Sequence, residues 1–468
     1  MLVVPGTLEH YSQLGIVEDV MSAGIEPKKI HIHNKKEKAE ISLENVRSLI
    51  SRYPRLLTYP QDQHERLLID VLQKRGHHIQ WETTFLDLNQ NESEVTARME
   101  QDNQTVSRTF RYVVGADGGS SAVRKALEIE LEGDTNAKRF FVADVELNNE
   151  TLVDAGVHFF FLYEDFLLCF PLRDQTTKRL IGVIPESVAQ KETVQMKDLI
   201  PIFNDDYQLT VTETKWFSEY KVHHRLAESY QKDRVFLAGD AAHLHSPIGG
   251  QGMNAGIADA INLGWKLAYV LQNKAHPTLL ETYEEERKNY AKKLVSTTDL
   301  AFRMITAESQ IVHKIRNYLI TTLAEYAIKK TDKVSDIIFK LISQAKIRYI
   351  DSSLNAQDVS NHIVGMRLPY FKDNLDYIDE MTWHMQVYGT IRKKLRRFLN
   401  QYNIPYYEIT WDEAMKEEGF FKNTAYLIRP DGYIAWVNED QDEESLKDYI
   451  EKWALFHEAP QSALGLDE

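Results

Sequence analysis

Residues Arg234–Lys266 read RVFLAGDAAHLHSPIGGQGMNAGIADAINLGWK, and their order decides how the chain around them folds. An apolar run, Val235–Ala238, ends in Gly239-Asp240. A loop with Pro247, Gly249, Gly250 and Gly252 follows, and a helical pattern starts near Met253. Strand, acidic residue, Gly-rich loop and helix in this order set backbone N–H groups and a positive helix end beside one fixed carboxylate. The glycines allow φ > 0 and let a bulky ligand approach the backbone closely. Pro247 removes one donor and stiffens the loop. Asp240, after a buried strand, can accept two hydroxyl hydrogen bonds. Beyond the loop Ile257, Ile261, Ala268 and Leu271 form an apolar stripe, with Asp259, Asn262 and Lys266 on another face.

Such a site suits a ligand with a polyol to hold and an electron-rich ring or phosphate to stabilise. A flavin dinucleotide has all three. The string GDAAHLHSPIGGQGMNAGIADAINLGWKLA resembles the second flavin motif of FAD-dependent aromatic hydroxylases, the phenol and para-hydroxybenzoate hydroxylase type. Tyr112–Arg124, YVVGADGGSSAVR, resembles that family's Asp-Gly motif, which serves both FAD and the incoming nicotinamide nucleotide. Arg429–Val437, RPDGYIAWV, resembles the closing strand motif of a C-terminal thioredoxin-like domain. Thr7–Gly15, TLEHYSQLG, resembles a helix just after the first βαβ unit. The resemblance runs along nearly the whole chain.

It implies an α/β and α+β fold. A doubly wound FAD-binding domain (residues 1–132 and 230–352, the latter with added helices) carries an antiparallel substrate-binding sheet (133–229) and a thioredoxin-like unit (353–468). It assigns cofactor binding to Gln63, Asp117, Gly118, Asp240, Pro247, Gly249, Gly250, Gly252, Met253 and Asn254. It implies FAD, NADPH or NADH, O2 and a small phenolic or polycyclic aromatic substrate. Hydroxylation passes through a flavin C4a-hydroperoxide, so no nucleophilic side chain is required. A second copy of the chain is a candidate partner.

One departure stands against this. The family opens with a strand, GxGxxG and a helix, and no GxGxxG occurs here. A βαβ unit needs roughly 30 residues, and the chain starts past it. The expectation is a chain truncated at its N-terminus that binds FAD poorly. The second reading is a flavin-free remnant that holds an aromatic ligand without catalysis.

Composition fits a cytoplasmic enzyme. Hydrophobic residues are 43% and charged residues 27% of 468, as in globular chains. A net charge of −15 argues against nucleic acid. One cysteine, Cys169, excludes a disulfide framework and a CxxC pair. The first residues turn polar too quickly for a signal peptide, and Glu164-Asp165 break the best apolar run, His158–Leu172, so no membrane partner is expected.

Coarse patterns predict helices over 7–24 and 63–75. Strands are expected at 78–81, 94–99, 110–115, 140–147, 157–162, 166–171 and 180–184. Helices follow over 279–350, and then a βαβ…ββα order. The pairs His31/His33 and His243/His245 lack further ligands at motif spacing, so no metal is expected. Asp117, in a turn after a buried strand, is read as having little purely structural reason.

Overall fold

The computed structural model describes residues 1–34, 38–43, 51–148, 152, 156–162, 165–172, 176–245, 250–306, 343–356, 363–371 and 374–456. The chain opens with β1 (Leu2–Val3), α1 (Pro5–Gln13), α2 (Val17–Ala23), β2 (Lys29–Asn34), β3 (Lys38–Ser42), β4 (Leu57–Thr58) and α3 (Gln61–Lys74). A meander of β5 (Thr83–Gln90), β6 (Val95–Gln101) and β7 (Gln104–Phe110) leads to β8 (Val113–Gly115) and α4 (Ala122–Ala126). Next come β9 (Leu131–Leu147), β10 (Val157–Leu162), β11 (Asp165–Pro171), β12 (Thr177–Val183), α5 (Glu186–Ala189), α6 (Met196–Asp205) and β13 (Val211–Ala227). β14 (Gln231–Lys232), β15 (Val235–Leu237), β16 (His243–Leu244), α7 (Gln251–Leu271) and α8 (Glu281–Thr306) follow. Last are β17 (His384–Tyr388), α9 (Lys393–Gln401), β18 (Tyr406–Ile409), β19 (Ala425–Ile428), β20 (Ile434–Asn438) and α10 (Glu443–Lys452).

Four of these differ from the sequence expectations. Of the helical stretch over 279–350, α8 covers Glu281–Thr306, residues 307–342 lie outside the described residues, and 343–350 are turns and extended chain. The helix over 7–24 is two helices, because Gly15 takes a φ of +71° between them. Residues 78–81 form no strand: all four are exposed, Trp81 by 65%, so no buried face rewards pairing. Residues 110–115 split between β7 and β8, which belong to different sheets.

The largest sheet has eight strands in the order β16-β13-β9-β12-β11-β10-β2-β3. It is mixed rather than purely antiparallel, since β10 runs parallel to β2. It also draws strands from residues 29–42 and 243–244, outside 133–229. Its register puts one apolar row across five strands: Ile32 beside Phe159, then Leu168, Ile181 and Val142. Strand side chains alternate between faces, so their neighbours Leu167, Leu180, Phe141 and Ala143 point the other way. There they share a core with Leu199 and Phe203 of α6. The row Phe170, Arg179, Asp144 and Trp216 brings a charged pair onto the first face.

The strand before the 234–266 loop, β15, pairs in parallel with β8, so the two sequence motifs meet side by side. The C-terminal sheet has the order β18-β17-β19-β20, with β17 and β18 parallel and α9 between them in sequence, which is the expected thioredoxin-like arrangement.

Candidate flavin and substrate site

A cavity of about 420 Å³ lies between the apolar row of the large sheet and the start of α7. Val142, Phe159, Leu168 and Ile181 form the sheet wall; Asp240, His245, Gly250, Gly252 and Met253 form the opposite wall. Arg179, Tyr220, Thr58 and Gln61 supply further polar groups at its edge. Arg179 is held by a two-pronged pair with Asp144, at 2.7 and 2.8 Å. Burial pushes the Tyr220 phenol well above its ordinary range, so it stays a hydroxyl that can donate.

The helix end is built by its glycines. Gly250 is the N-cap of α7 at φ +63°, with no side chain capping the first turn. A Cβ there would also come within 2.9 Å of Leu2, so both conformation and space demand glycine. At Gly252 a Cβ would meet only the His245 ring, at 3.5 Å. Gly250, Gly252 and Met253 of this first turn line the cavity, at the positive end of the helix.

Asp240 sits in the 3-10 turn Gly239–Ala241 directly after β15. It is exposed toward the cavity, and among the described residues no donor meets its carboxylate. Burial on its other side raises the carboxyl, and the nearby His243 opposes that rise.

Among the described residues, the other expected site residues lie around this cavity or in the elements beside it. Asp117 has a structural reason that the sequence reading did not give it, inside its own motif. Its oxygens accept Ser121 Oγ at 2.5 Å and the N–H groups of Ala122 and Val123 at 2.7 and 3.1 Å, closing the start of α4. Gly118 follows at φ +80°, a conformation that suits glycine, with open space around it. Asn254 is fully buried, and its amide ties β1 to α7. Its oxygen accepts Thr7 Oγ1 (2.7 Å) and Val4 N–H (3.3 Å), while its nitrogen donates to Leu2 O and Gly250 O. Gln63 is half-buried on α3, whose cavity-facing residue is Gln61. Pro247 and Gly249 lie outside the described residues. Among the described residues no three His, Cys, Asp or Glu side chains form a metal-ligand set. Nor is any described helix long and apolar enough to cross a membrane.

The sequence reading gave no role to Arg124, Asp259, Arg179 or Tyr220. Arg124 is buried and bridges the two motifs, donating to Gly119 O and Ala241 O, both at 2.9 Å. Its signal was its place at the end of YVVGADGGSSAVR.

Residues 2–298 match the family model described as FAD binding domain, and residues 390–454 match the aromatic-ring hydroxylase C-terminal model. Pentachlorophenol 4-monooxygenase of Sphingobium chlorophenolicum is 32% identical over 307 residues, 64% of this chain and 56% of that protein. An uncharacterized aromatic compound monooxygenase of Bacillus subtilis is 29% identical over 445 residues, 92% of this chain and 85% of that protein. The solved structure of the flavin-dependent monooxygenase PieE, in complex with FAD and substrate, superposes with a TM-score of 0.78 at 20% identity. That match covers 96% of this chain and 92% of that one. The match over 2–298 spans more than half of the chain, and the chain belongs to the FAD binding domain family, as a flavoprotein of the aromatic-ring hydroxylase kind.

Proposed function

We propose that this chain is an FAD-dependent monooxygenase that hydroxylates a phenolic or polycyclic aromatic compound, with NADPH or NADH as reductant and O2 as oxidant. One observation carries the reading. The carboxylate of Asp240, which no described donor meets, lies beside the glycine-opened start of α7, and both face an apolar cavity of about 420 Å³. That volume is in the range of small-molecule sites. The relatives are named as monooxygenases, which supports this reading over a flavin-free remnant.

The described residues fit the ring and ribityl half of FAD. When bound, the cofactor would supply the electron transfer and the activation of O2. The chain does the rest. Asp240 would accept hydrogen bonds from the ribityl hydroxyls. The first-turn N–H groups at Gly252 and Met253 would stabilise negative charge on the ring. Phe159, Leu168, Ile181 and Val142 would seat flat rings and exclude water. Tyr220 and Arg179 would orient an oxygen substituent on the substrate. In this reading residues 133–229 carry most of the substrate face, and residues 353–468 are structural.

The test is the visible spectrum of the purified chain after FAD is added and excess removed. A two-band flavin spectrum that survives removal of excess FAD only in part, since the chain has no GxGxxG, is expected, followed by NAD(P)H consumption that phenols accelerate. A colourless protein would sink the proposal.

A further inference from the structure

The turn that displays Asp240 is held from behind. Asp259, on the third turn of α7, uses one oxygen for two donors. Its Oδ2 accepts the Gly239 N–H at 3.0 Å and lies 2.7 Å from His243 Nε2. One atom therefore grips both ends of the stretch Gly239–His243. The other oxygen, Oδ1, accepts the Nε–H of Arg287 on α8 at 2.6 Å. Asp259 and Arg287 are fully buried, and His243 is 1% exposed. Burial works against the Asp259 charge, but Arg287 and His243 overcome it and hold the carboxyl at about 2. An ionised carboxylate only accepts, so Nε2 of His243 carries the proton and donates it. From the other side Arg124 holds the Ala241 carbonyl. Gly239 stands at φ +61° within this frame. Asp240 contributes nothing to it and is left for a ligand.

We propose that Asp259 and His243 are positioning residues, which fix the Gly239–His243 turn so that Asp240 meets its ligand at one set geometry. The identity of that ligand rests on the flavin reading; the holding of the turn does not. The imidazole has a second candidate role, since its ring stacks on Tyr230 at 6.1 Å and 19°. Two substitutions separate donor from ring. His243→Phe keeps a ring on Tyr230 and loses the donor. His243→Gln keeps an N–H donor and loses the ring.

Two readouts apply to both variants and to Asp259→Asn: deuterium uptake by the peptide spanning residues 236–245, and the FAD dissociation constant from fluorescence titration. His243→Phe is expected to raise uptake over the turn and weaken FAD about tenfold, the scale of one lost buried hydrogen bond to a charged group. His243→Gln is expected near the unaltered chain on both. Wild-type behaviour of His243→Phe, or equal failure of the Phe and Gln variants, overturns the proposal. If the unaltered chain takes up no FAD, the flavin reading falls. The uptake difference between Phe and Gln then decides the positioning role alone. Should Asp259→Asn not fold, the His243 pair carries the test.

Discussion

Two aspartates show how much a residue's role depends on what its oxygens already hold. Asp117 and Asp240 both follow short parallel strands, β8 and β15, that lie side by side. Asp117 accepts three hydrogen bonds, from Ser121 and two backbone N–H groups. Asp240 accepts none among the described residues. Opposite results are expected from the same substitution. Asp117→Ala should cost about 1–2 kcal/mol of stability, as loss of a helix cap does, read as a lower urea midpoint. Asp240→Ala should leave that midpoint nearly unchanged and weaken FAD about 10- to 100-fold, the loss of hydrogen bonds to a charged acceptor. A large stability loss at Asp240 would contradict its freedom from structural duty. The single cysteine gives a third contrast. Cys169 is fully buried, and burial pushes its thiol up to about 12. It should resist thiol reagents until the protein unfolds.

At the scale of elements, α7 departs from the simple amphipathic reading. Of its apolar stripe Ile261 is buried, but Leu271 is 39% exposed. Asp259, Asn262 and Lys266, on the polar face, are buried too, at 0–1%. They are buried because α8 and the C-terminal unit bring opposite charge. Glu286 accepts from Lys266 Nζ at 2.8 Å and from Arg429 at 2.6 and 3.0 Å; Arg429 also pairs with Asp431. The motif RPDGYIAWV thus anchors the C-terminal unit to the helix pair behind the site. Arg429→Met should leave Glu286 and Asp431 undercompensated and cost about 3–5 kcal/mol, measured by chemical denaturation. Acid should test the separate cluster in which Asp259 pairs with Arg287 and His243. Asp259 titrates at about 2 when folded against an ordinary value of 3.8. Its contribution of about 2 kcal/mol is complete above pH 4 and is lost as the pH falls through 2. Unfolding free energies at pH 5 and below 3 should show this slope, and Asp259→Asn should lack it.

For the whole molecule, the register of the large sheet decides which side chains meet the ligand. Adjacent residues Leu167 and Leu168 test it. Leu167 faces the core under α6 and Leu168 the cavity. Leu167→Ala should cost about 2–5 kcal/mol. Leu168→Trp should fill the cavity and suppress aromatic ligand binding with a smaller change in stability. Equal stability losses would mean that the register is wrong. Nothing in the apolar string VHFFFLYEDFLLCFPL says which alternate set points inward, because a one-residue slip exchanges the two faces. The 17 residues of β13 escaped the sequence reading for a related reason. They are mostly charged or polar and become a strand by pairing along β9, a partner far off in sequence. Local chemistry, by contrast, was legible in the chain alone. Glycines at Gly239 and Gly250 take the positive φ the loop needs, α3 ends before Gly76 as its pattern says, and the order of strand, acid, glycines and helix places Asp240. Such features depend on neighbours a few residues apart, where backbone sterics and single hydrogen bonds dominate. Which polar helix face is buried and which strand face lines the cavity depend on groups far apart in sequence, such as Asn262 and Asp431, 169 residues apart. Those choices belonged to the tertiary structure, because only packing brings the partners that make burial of a charge affordable.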